Sequence, residues 1–220
     1  MVKGILEVTN ESLSEKYLGL LTEVGKSTNG AFKYIKDRLW GKIQGWIEKS
    51  LSTAGKEVLV KSVAQAVPVY SMSCFKLPRG LCEHINSLIR KFWWGSKEGK
   101  RKPSWVSWRT MTQPKYCGGL CFRDIELFNL ALLARQAWRI LMEPDSLSAR
   151  LLKAKYYPTG EFLRAELGSA PSQIWRAIID GREVLTQGLI RRIGDGHTTN
   201  MWRHNWLPRP SNMRPITSRV

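Results

Sequence analysis

Apolar residues recur at steps of three and four over most of this chain, and that spacing places them on one face of an α-helix. One such stripe comprises Leu81, Ile85, Leu88, Ile89 and Phe92. An earlier stripe comprises Phe32, Ile35, Leu39, Ile43, Trp46 and Ile47. Because an amphipathic helix must bury its apolar face against another element, the pattern predicts a bundle of packed helices.

Capping residues and a proline set the bounds of the first two helices. We expect the first helix to begin at Ser27, Thr28 or Asn29, whose side chains are suited to an N-cap. The second helix is expected to begin near Ser52. Pro68 should kink or end it, because proline has no backbone N–H to donate.

The later helices have equally clear boundaries. Pro78 fits the first turn of a third helix. Asp124 is expected to cap a long, broadly apolar helix that ends before Pro144. Two more helices are predicted over residues 146–156 and 172–187.

Non-helical structure is expected at a few places only. Residues 16–22 form a short apolar run that is more typical of a strand, and Gly118–Gly119 indicates a turn. A C-terminal β-hairpin is predicted from extended runs near 189–193 and 199–203, with its turn at Gly194–Gly196. The predicted fold class is mainly α: a helical bundle, a second helical segment and this short hairpin.

The charge balance narrows the range of binding partners. Lys and Arg number 35 against 18 acidic residues, a net charge of +17. Residues 1–25 carry −2, residues 26–116 carry +13 and residues 117–220 carry +6. An excess of this size indicates nucleic acid or an anionic membrane surface, or else a protein that is basic for solubility in an RNA-rich setting.

Other features bear on the compartment. No stretch approaches the roughly 20 apolar residues that a membrane-spanning helix needs, so we expect no membrane partner. The start of the chain lacks the apolar block of a signal peptide and is too acidic for an organellar transit peptide. The cysteines Cys74, Cys82, Cys117 and Cys121 show no disulfide spacing, which predicts a reducing, intracellular compartment.

Four of the ten tryptophans lie between Lys91 and Arg109, among many basic residues. Trp93 extends the apolar stripe that ends at Phe92, so we assign it to the core. Trp94 lies at the edge of the stripe, where core packing and base stacking are both open, and Trp105 and Trp108 are candidates either to cover the end of the bundle or to stack.

The basic side chains are candidates for phosphate contacts, because Lys and Arg are rarely buried. The alternative is that they only solvate a surface loop. The candidate nucleic-acid-binding residues are Lys33, Lys36, Lys42, Lys91, Lys97, Lys100, Arg101, Lys102 and Arg109. Contacts of this kind hold a phosphate backbone without recognising its sequence.

Seven sequence segments together carry a family resemblance. They are KYLGL at 16–20, FKYIKDRLWGKIQGW at 32–46, GKEVLVKSVAQAVPVYSMSCFKLPRGL at 55–81, IRKFWWGS at 89–96, GGLCFRDIELFNLALLARQAWRIL at 118–141, LLKAKYYP at 151–158 and WRHNWLPRP at 202–210. In combination they resemble the reverse transcriptase polyprotein of plant LINE-type (non-LTR) retrotransposons, in the part that follows the polymerase palm.

The resemblance implies a division of the chain into family segments. It places the end of the palm at 1–25, a basic helical thumb that grips template–primer at 26–116, and a helical connecting region, which contains the hairpin predicted above, at 117–207. The proline-rich residues 208–220 are separately predicted to be a disordered tail. The zinc-binding motif and the ribonuclease H domain of some members would follow this chain. The sequence departs from the family at Leu21, where proline is usual, and at Cys121, where glycine is usual.

The resemblance also implies the parent chemistry, which is polymerisation with two Mg²⁺ ions held by two adjacent aspartates. None of the five aspartates of this chain is adjacent to another, so we expect no catalytic residue and no cofactor here. Cys117 and Cys121 lie too far in sequence from His197 and His204 to predict a zinc site.

The functional hypothesis is a non-catalytic fragment of an RNA-directed DNA polymerase that binds template–primer, an RNA–DNA or DNA duplex, without sequence specificity. No small-molecule substrate is expected, and the nucleus is favoured over the mitochondrion. Two alternatives stay open: a remnant without function, and a domesticated helical adaptor that binds an acidic protein partner.

Overall fold

The computed structural model describes residues 16–17, 20–21, 32–97, 100–101, 103–197, 199–209 and 213–215. The described part is mainly helical, as the sequence predicts. It divides into two compact units, Met1–Leu133 and Ala134–Val220, which we call unit 1 and unit 2.

The described part of unit 1 contains five complete helices. They are α1 (Lys33–Ile47), α2 (Thr53–Leu59), α3 (Val69–Met72), α4 (Arg79–Trp94) and α5 (Trp108–Met111). A π-helical turn, Val60–Ala64, follows α2 directly, and a 3-10 turn covers Lys115–Cys117. The unit boundary falls within α6 (Ile125–Met142). Unit 2 continues with α7 (Leu147–Tyr156), a 3-10 turn at Phe162–Arg164 and α8 (Gln173–Gly188).

Two short antiparallel strand pairs complete the described secondary structure. β1 (Lys16–Tyr17) pairs with β2 (Leu20–Leu21), which confirms a strand in the apolar run at 16–22. β3 (Ser96–Lys97) pairs with β4 (Lys100–Arg101), with Ser96 opposite Arg101 and Lys97 opposite Lys100. The basic loop after α4 therefore begins as a tight hairpin.

Helices α1 and α4 form the centre of unit 1, and their apolar stripes are largely buried as predicted, although Ile47 at the end of the α1 stripe is 44% exposed. Leu39 on α1 and Ile85 on α4 are both fully buried. The Phe32 ring lies 5.9 Å from Phe75, just before α4, and the Trp46 ring lies 5.4 Å from Phe92 near its end. Since the starts and the ends of the two helices meet in this way, they run side by side in the same direction.

The structure defines two helix boundaries that the sequence predicts only approximately. The described part of α1 begins at Lys33, and Phe32 occupies the N-cap position without a side-chain hydrogen bond. The predicted caps at 27–29 lie outside the described residues. The preceding helical stretch ends at Ala64, four residues before Pro68, where the sequence predicts a kink or an end at Pro68, and Pro68 occupies the N-cap position of α3.

Unit 2 is built around Trp175 of α8, which is fully buried. The ring of Tyr156 stacks on it at 4.6 Å and 2°, and the ring of Tyr157 lies 5.7 Å away at 15°. Arg182 on the same helix donates from Nη1 to the carbonyl oxygens of Phe162 and Ala165. This aromatic stack and the arginine bonds hold the connection between α7 and α8 against α8.

The predicted C-terminal hairpin is not found, because no strand occurs in the described residues 189–197 and 199–209. Asn200 gives the physical reason. Its Oδ1 accepts hydrogen bonds from the backbone N–H groups of Trp202 and Arg203, and its carbonyl accepts from Arg203 and His204. These bonds close a turn where the sequence predicts an extended run.

The boundary between the compact units lies later than the predicted boundary between family segments at 116–117. Phe122 and Ile125 are buried in the unit 1 core, so the chain beyond 117 still packs with α1 and α4. The division into family segments stays a prediction. Residues 210–212 and 216–220 of the predicted tail lie outside the described residues.

A single buried amide fixes the connection between α3 and α4. Asn129 of α6 is 2% exposed. Its Nδ2 donates to the carbonyl oxygens of Met72, at 2.8 Å, and Phe75, at 2.9 Å, and its Oδ1 accepts from the N–H of Leu77 at 2.8 Å. Three backbone groups at or beyond the end of α3 are thus satisfied by one side chain.

We expect Asn129→Ala to lower the free energy of unfolding by roughly 3 kcal/mol, because it leaves buried backbone donors and acceptors unpaired. Leu127→Ala is the matched control, since Leu127 lies on the same helix and is 67% exposed. Urea unfolding followed by circular dichroism measures both. Equal stability of the two variants would show that the amide contributes little.

The turn before α6 requires unusual backbone conformations. Gly118 has φ +79°, and a Cβ added at Gly119 would overlap the carbonyl group of Gln113. Cys121 has φ +55°, a left-handed conformation that favours glycine. Among the described residues other than glycine, it is the one with a positive φ. The glycine that is usual in the resembled family would therefore fit this position without strain.

Cys121→Gly should raise the free energy of unfolding by about 0.5–1 kcal/mol, because it removes the left-handed strain at a partial cost in unfolded-state entropy. Cys117→Gly is the control, since Cys117 lies four residues earlier in a 3-10 turn. That change should destabilise by about 0.5 kcal/mol. Thermal unfolding measures both, and a destabilised Cys121→Gly variant would contradict the strain.

Candidate nucleic-acid interface

The lysines predicted on α1 do not form a single row. Lys33 is exposed and Lys36 is partly exposed, three residues apart and therefore on neighbouring positions of the helix surface. Lys42 lies nine residues after Lys33, about 180° around the helix axis at about 100° per residue. The structure thus brings Lys33 and Lys36 together and separates Lys42 from them.

The positive charges of Lys36 and Lys91 both act on a histidine that the sequence pattern does not single out. The pKa of His84 on α4 is lowered, first by partial burial and then by the positive charges of Lys36 and Lys91. His84 and Lys91 are seven residues apart, two turns along one face of α4. We call Lys33, Lys36, His84 and Lys91 the α1–α4 basic surface.

Two carboxylates of unit 1 form ion pairs in the described part of the chain. Glu57 accepts from Lys61 Nζ at 2.6 Å and from Lys115 Nζ at 3.0 Å, and these bonds hold its pKa below the usual range. Glu83 pairs with Arg79 at 3.0 Å. Among the described residues, Lys36 and Lys91 take part in no ion pair, so their charges stay available to an anion.

An exposed aromatic ring extends this surface. Trp40 on α1 is 44% exposed and follows Lys36 by four residues, so the two side chains are neighbours on the helix. A flat ring beside basic side chains is typical of nucleic-acid surfaces. The exposure of Trp40 could have been predicted from the sequence, because Trp40 does not lie on the helix face formed by Ile35, Leu39 and Ile43.

The tryptophans of the segment 91–109 differ in exposure. Trp93 packs edge-on against Phe122 at 5.2 Å, which confirms its assignment to the core. Trp94 and Trp108 also pack against the core, and each has a buried Nε1 without a hydrogen-bond partner in the described part. Trp105 is 81% exposed. Of the three stacking candidates, Trp105 therefore presents by far the most ring surface.

The remaining basic candidates lie around the β3–β4 hairpin. The backbone of Lys97 lies in β3, and that of Lys100 and Arg101 in β4. Arg109 is exposed on α5, and Lys102 lies outside the described residues. Their contacts with phosphate stay a prediction.

Two of the aspartates considered as catalytic candidates form local hydrogen bonds with the backbone. Asp124 Oδ1 accepts from the N–H groups of Glu126, at 3.0 Å, and Leu127, at 3.1 Å, which confirms it as the cap of α6. Asp195 Oδ1 accepts from His197 N–H at 3.1 Å within a turn. The described residues include no group of three or more His, Cys, Asp or Glu side chains that could hold a metal ion.

Helix lengths and hydropathy bear on the membrane. In the described ranges, every helix is too short or too polar to cross a bilayer.

Known proteins with similar sequences come from Arabidopsis thaliana. An uncharacterized mitochondrial protein is 45% identical over 152 residues, which cover 69% of this chain and 99% of that protein. The chain belongs to the family of this mitochondrial protein. A second relative, provisionally named a ribonuclease H protein, is 36% identical over 193 residues, which cover 86% of this chain and 30% of that protein.

These relatives agree with a retrotransposon-related protein of plant type, which is the broader part of the sequence resemblance. The assignment to a LINE reverse transcriptase goes beyond their names. No family model matches the chain, and no solved structure matches it.

Lys36→Gln should raise the pKa of His84, because it removes a positive charge that disfavours the imidazolium. Lys42→Gln is the control, since Lys42 lies about 180° from Lys33 around α1. An NMR pH titration of the three histidines measures the pKa, with His84→Gln to assign the signal. Equal shifts in both variants would show that His84 senses overall charge and no defined surface.

Proposed function

We propose that unit 1 binds the phosphate backbone of a nucleic-acid duplex without sequence specificity. The proposal is carried by Lys36 on α1 and Lys91 on α4, whose positive charges both lower the pKa of His84 and which form no ion pair among the described residues. Positive charges on one surface without paired carboxylates repel one another, and a phosphate backbone relieves that repulsion.

The structure of α1 and α4 suits this role. Both helices are fixed by a buried stripe, so the lysines project from a rigid base and lose little backbone freedom on binding. Asp37, four residues after Lys33, partly offsets the charge of Lys33. The main contribution is therefore assigned to Lys36 and Lys91.

The chain is further proposed to be the part of a LINE-type reverse transcriptase that follows the palm. The sequence resemblance over residues 10–210 and the relative named for ribonuclease H support this origin. The chain spans 30% of that relative, so polymerase and ribonuclease activity belong to the proposed parent protein. On its own the chain is proposed to bind without catalysis, in the nucleus or the mitochondrion.

A salt titration tests the duplex proposal. The dissociation constant of a fluorescent DNA duplex is measured by anisotropy over a series of salt concentrations. The logarithm of the affinity should fall linearly with the logarithm of salt concentration, with a slope of about −0.9 for each phosphate contact. Lys36→Ala/Lys91→Ala should reduce the magnitude of this slope by about 0.9 for each lysine that binds a phosphate in the unchanged protein.

Lys42→Ala/Lys49→Ala is the charge-matched control. It removes two lysines from the same part of the chain, and Lys49 is exposed just beyond α1. A control slope close to that of the unchanged protein supports a defined surface. Equal slopes for the two double variants, or binding that does not depend on salt, contradict the proposal.

A further inference from the structure

Unit 2 contains an open groove of about 600 Å³ whose lining is rich in arginine. It lies between the end of α6, the end of α8 and the chain that follows α8. The four arginines are Arg191, Arg192, Arg203 and Arg214, and none of the residues that line the groove is acidic. We call these four residues and Trp138 the arginine groove.

Asn205 forms hydrogen bonds with two of the four arginines. Its carbonyl oxygen accepts from the backbone N–H of Arg191 at 2.6 Å, and its Oδ1 accepts from Arg214 Nε at 2.8 Å. Arg191 Nη1 also lies 3.4 Å from His204 Nδ1. Two arginines that are far apart in sequence are thus tied to one residue on the wall of the groove.

The other donors are left for a ligand. The side chains of Arg192 and Arg203 form no hydrogen bond or ion pair with the residues that the structure describes, and Arg214 uses only its Nε. Guanidinium groups bind phosphate with paired, charge-assisted hydrogen bonds. Positive charge gathered without a carboxylate predicts an anionic ligand, and phosphate matches these donors best.

Part of the lining is apolar. Trp138 of α6 is 41% exposed, and Met142, one turn later, is 58% exposed. Leu141 and Ile190 also line the groove. A phosphate alone would leave this wall uncovered, whereas a nucleobase has a flat apolar face that stacks on a tryptophan ring.

We propose that the arginine groove binds a nucleotide of a single-stranded nucleic acid, with its phosphate on Arg192, Arg203 and Arg214 and its base against Trp138. A volume of about 600 Å³ is adequate for one nucleotide. An unpaired strand is required, because bases in a duplex are stacked on each other and cannot reach the ring. This site is separate from the α1–α4 basic surface and differs from it in the strand it binds.

Anisotropy with a fluorescent oligothymidylate tests the arginines. Arg192→Ala/Arg203→Ala should weaken single-strand binding at least about tenfold, because it removes two guanidinium groups that bind phosphate. Arg150→Ala/Arg176→Ala is the control, since both residues are exposed in unit 2 and lie outside the groove lining. Equally weakened binding in the two double variants would overturn the proposal.

The base contact needs its own variants. Trp138→Ala should weaken oligothymidylate binding about tenfold, and Trp138→Phe should retain most of it, because phenylalanine still stacks. An abasic oligonucleotide should bind weakly and equally to all three proteins. If the abasic strand binds as tightly as oligothymidylate, or if a phosphopeptide competes as well as DNA does, the groove takes a phosphate without a nucleotide and the proposal is wrong.

The same variants separate this inference from the proposed duplex function. Changes in the arginine groove should leave duplex affinity within about twofold, because duplex binding is assigned to Lys36 and Lys91. If duplex binding does not depend on Lys36 and Lys91 while oligothymidylate binding still depends on the arginine groove, only the duplex proposal is wrong. If a groove variant weakens the binding of duplex and of oligothymidylate equally, the proposal of a single-strand site is wrong. Circular dichroism of each variant confirms that it folds.

Discussion

The Asn129 amide is the interaction on which the rest of unit 1 depends. The chain between α3 and α4 has left helical hydrogen bonding, and the carbonyl groups of Met72 and Phe75 and the N–H of Leu77 find their partner in this one side chain. Because the amide has both a donor and an acceptor group, no apolar side chain can replace it. It fixes where α4 begins, and so which face of α4 meets α1.

The rotation of α4 about its own axis determines where the α1–α4 basic surface lies. With Ile85 and Ile89 buried, the face of α4 that carries His84 and Lys91 lies at the edge of its contact with α1, where Lys36 is located. Shifting α4 by one residue would move each side chain by about 100° around the axis. The proposed phosphate-binding surface therefore depends on the position of α4, which the buried hydrogen bonds of Asn129 help to fix.

The helices were predictable from local signals, because periodic apolar residues, serine caps and prolines act within a few residues of each other. The buried role of Asn129 was not, because its partners lie more than 50 residues away and its helix is broadly apolar in sequence. Composition located the basic region, yet only the packing of α1 on α4 separates Lys36 from Lys42 and adds His84. The predicted hairpin failed because the side chain of Asn200 closes a turn, a local competition that alternating residues do not show.

The placement of the few carboxylates completes the physical account of unit 1. Residues 26–116 contain five acidic side chains, and two of these form the described ion pairs: Glu57, with Lys61 and Lys115, and Glu83, with Arg79. Neither carboxylate pairs with Lys36 or Lys91. A fold selected for stability alone would gain by neutralising that pair, whereas a surface that binds phosphate must leave it free, since an internal carboxylate would compete with the ligand. The absence of such a partner for Lys36 and Lys91 among the described ion pairs supports the proposed phosphate binding.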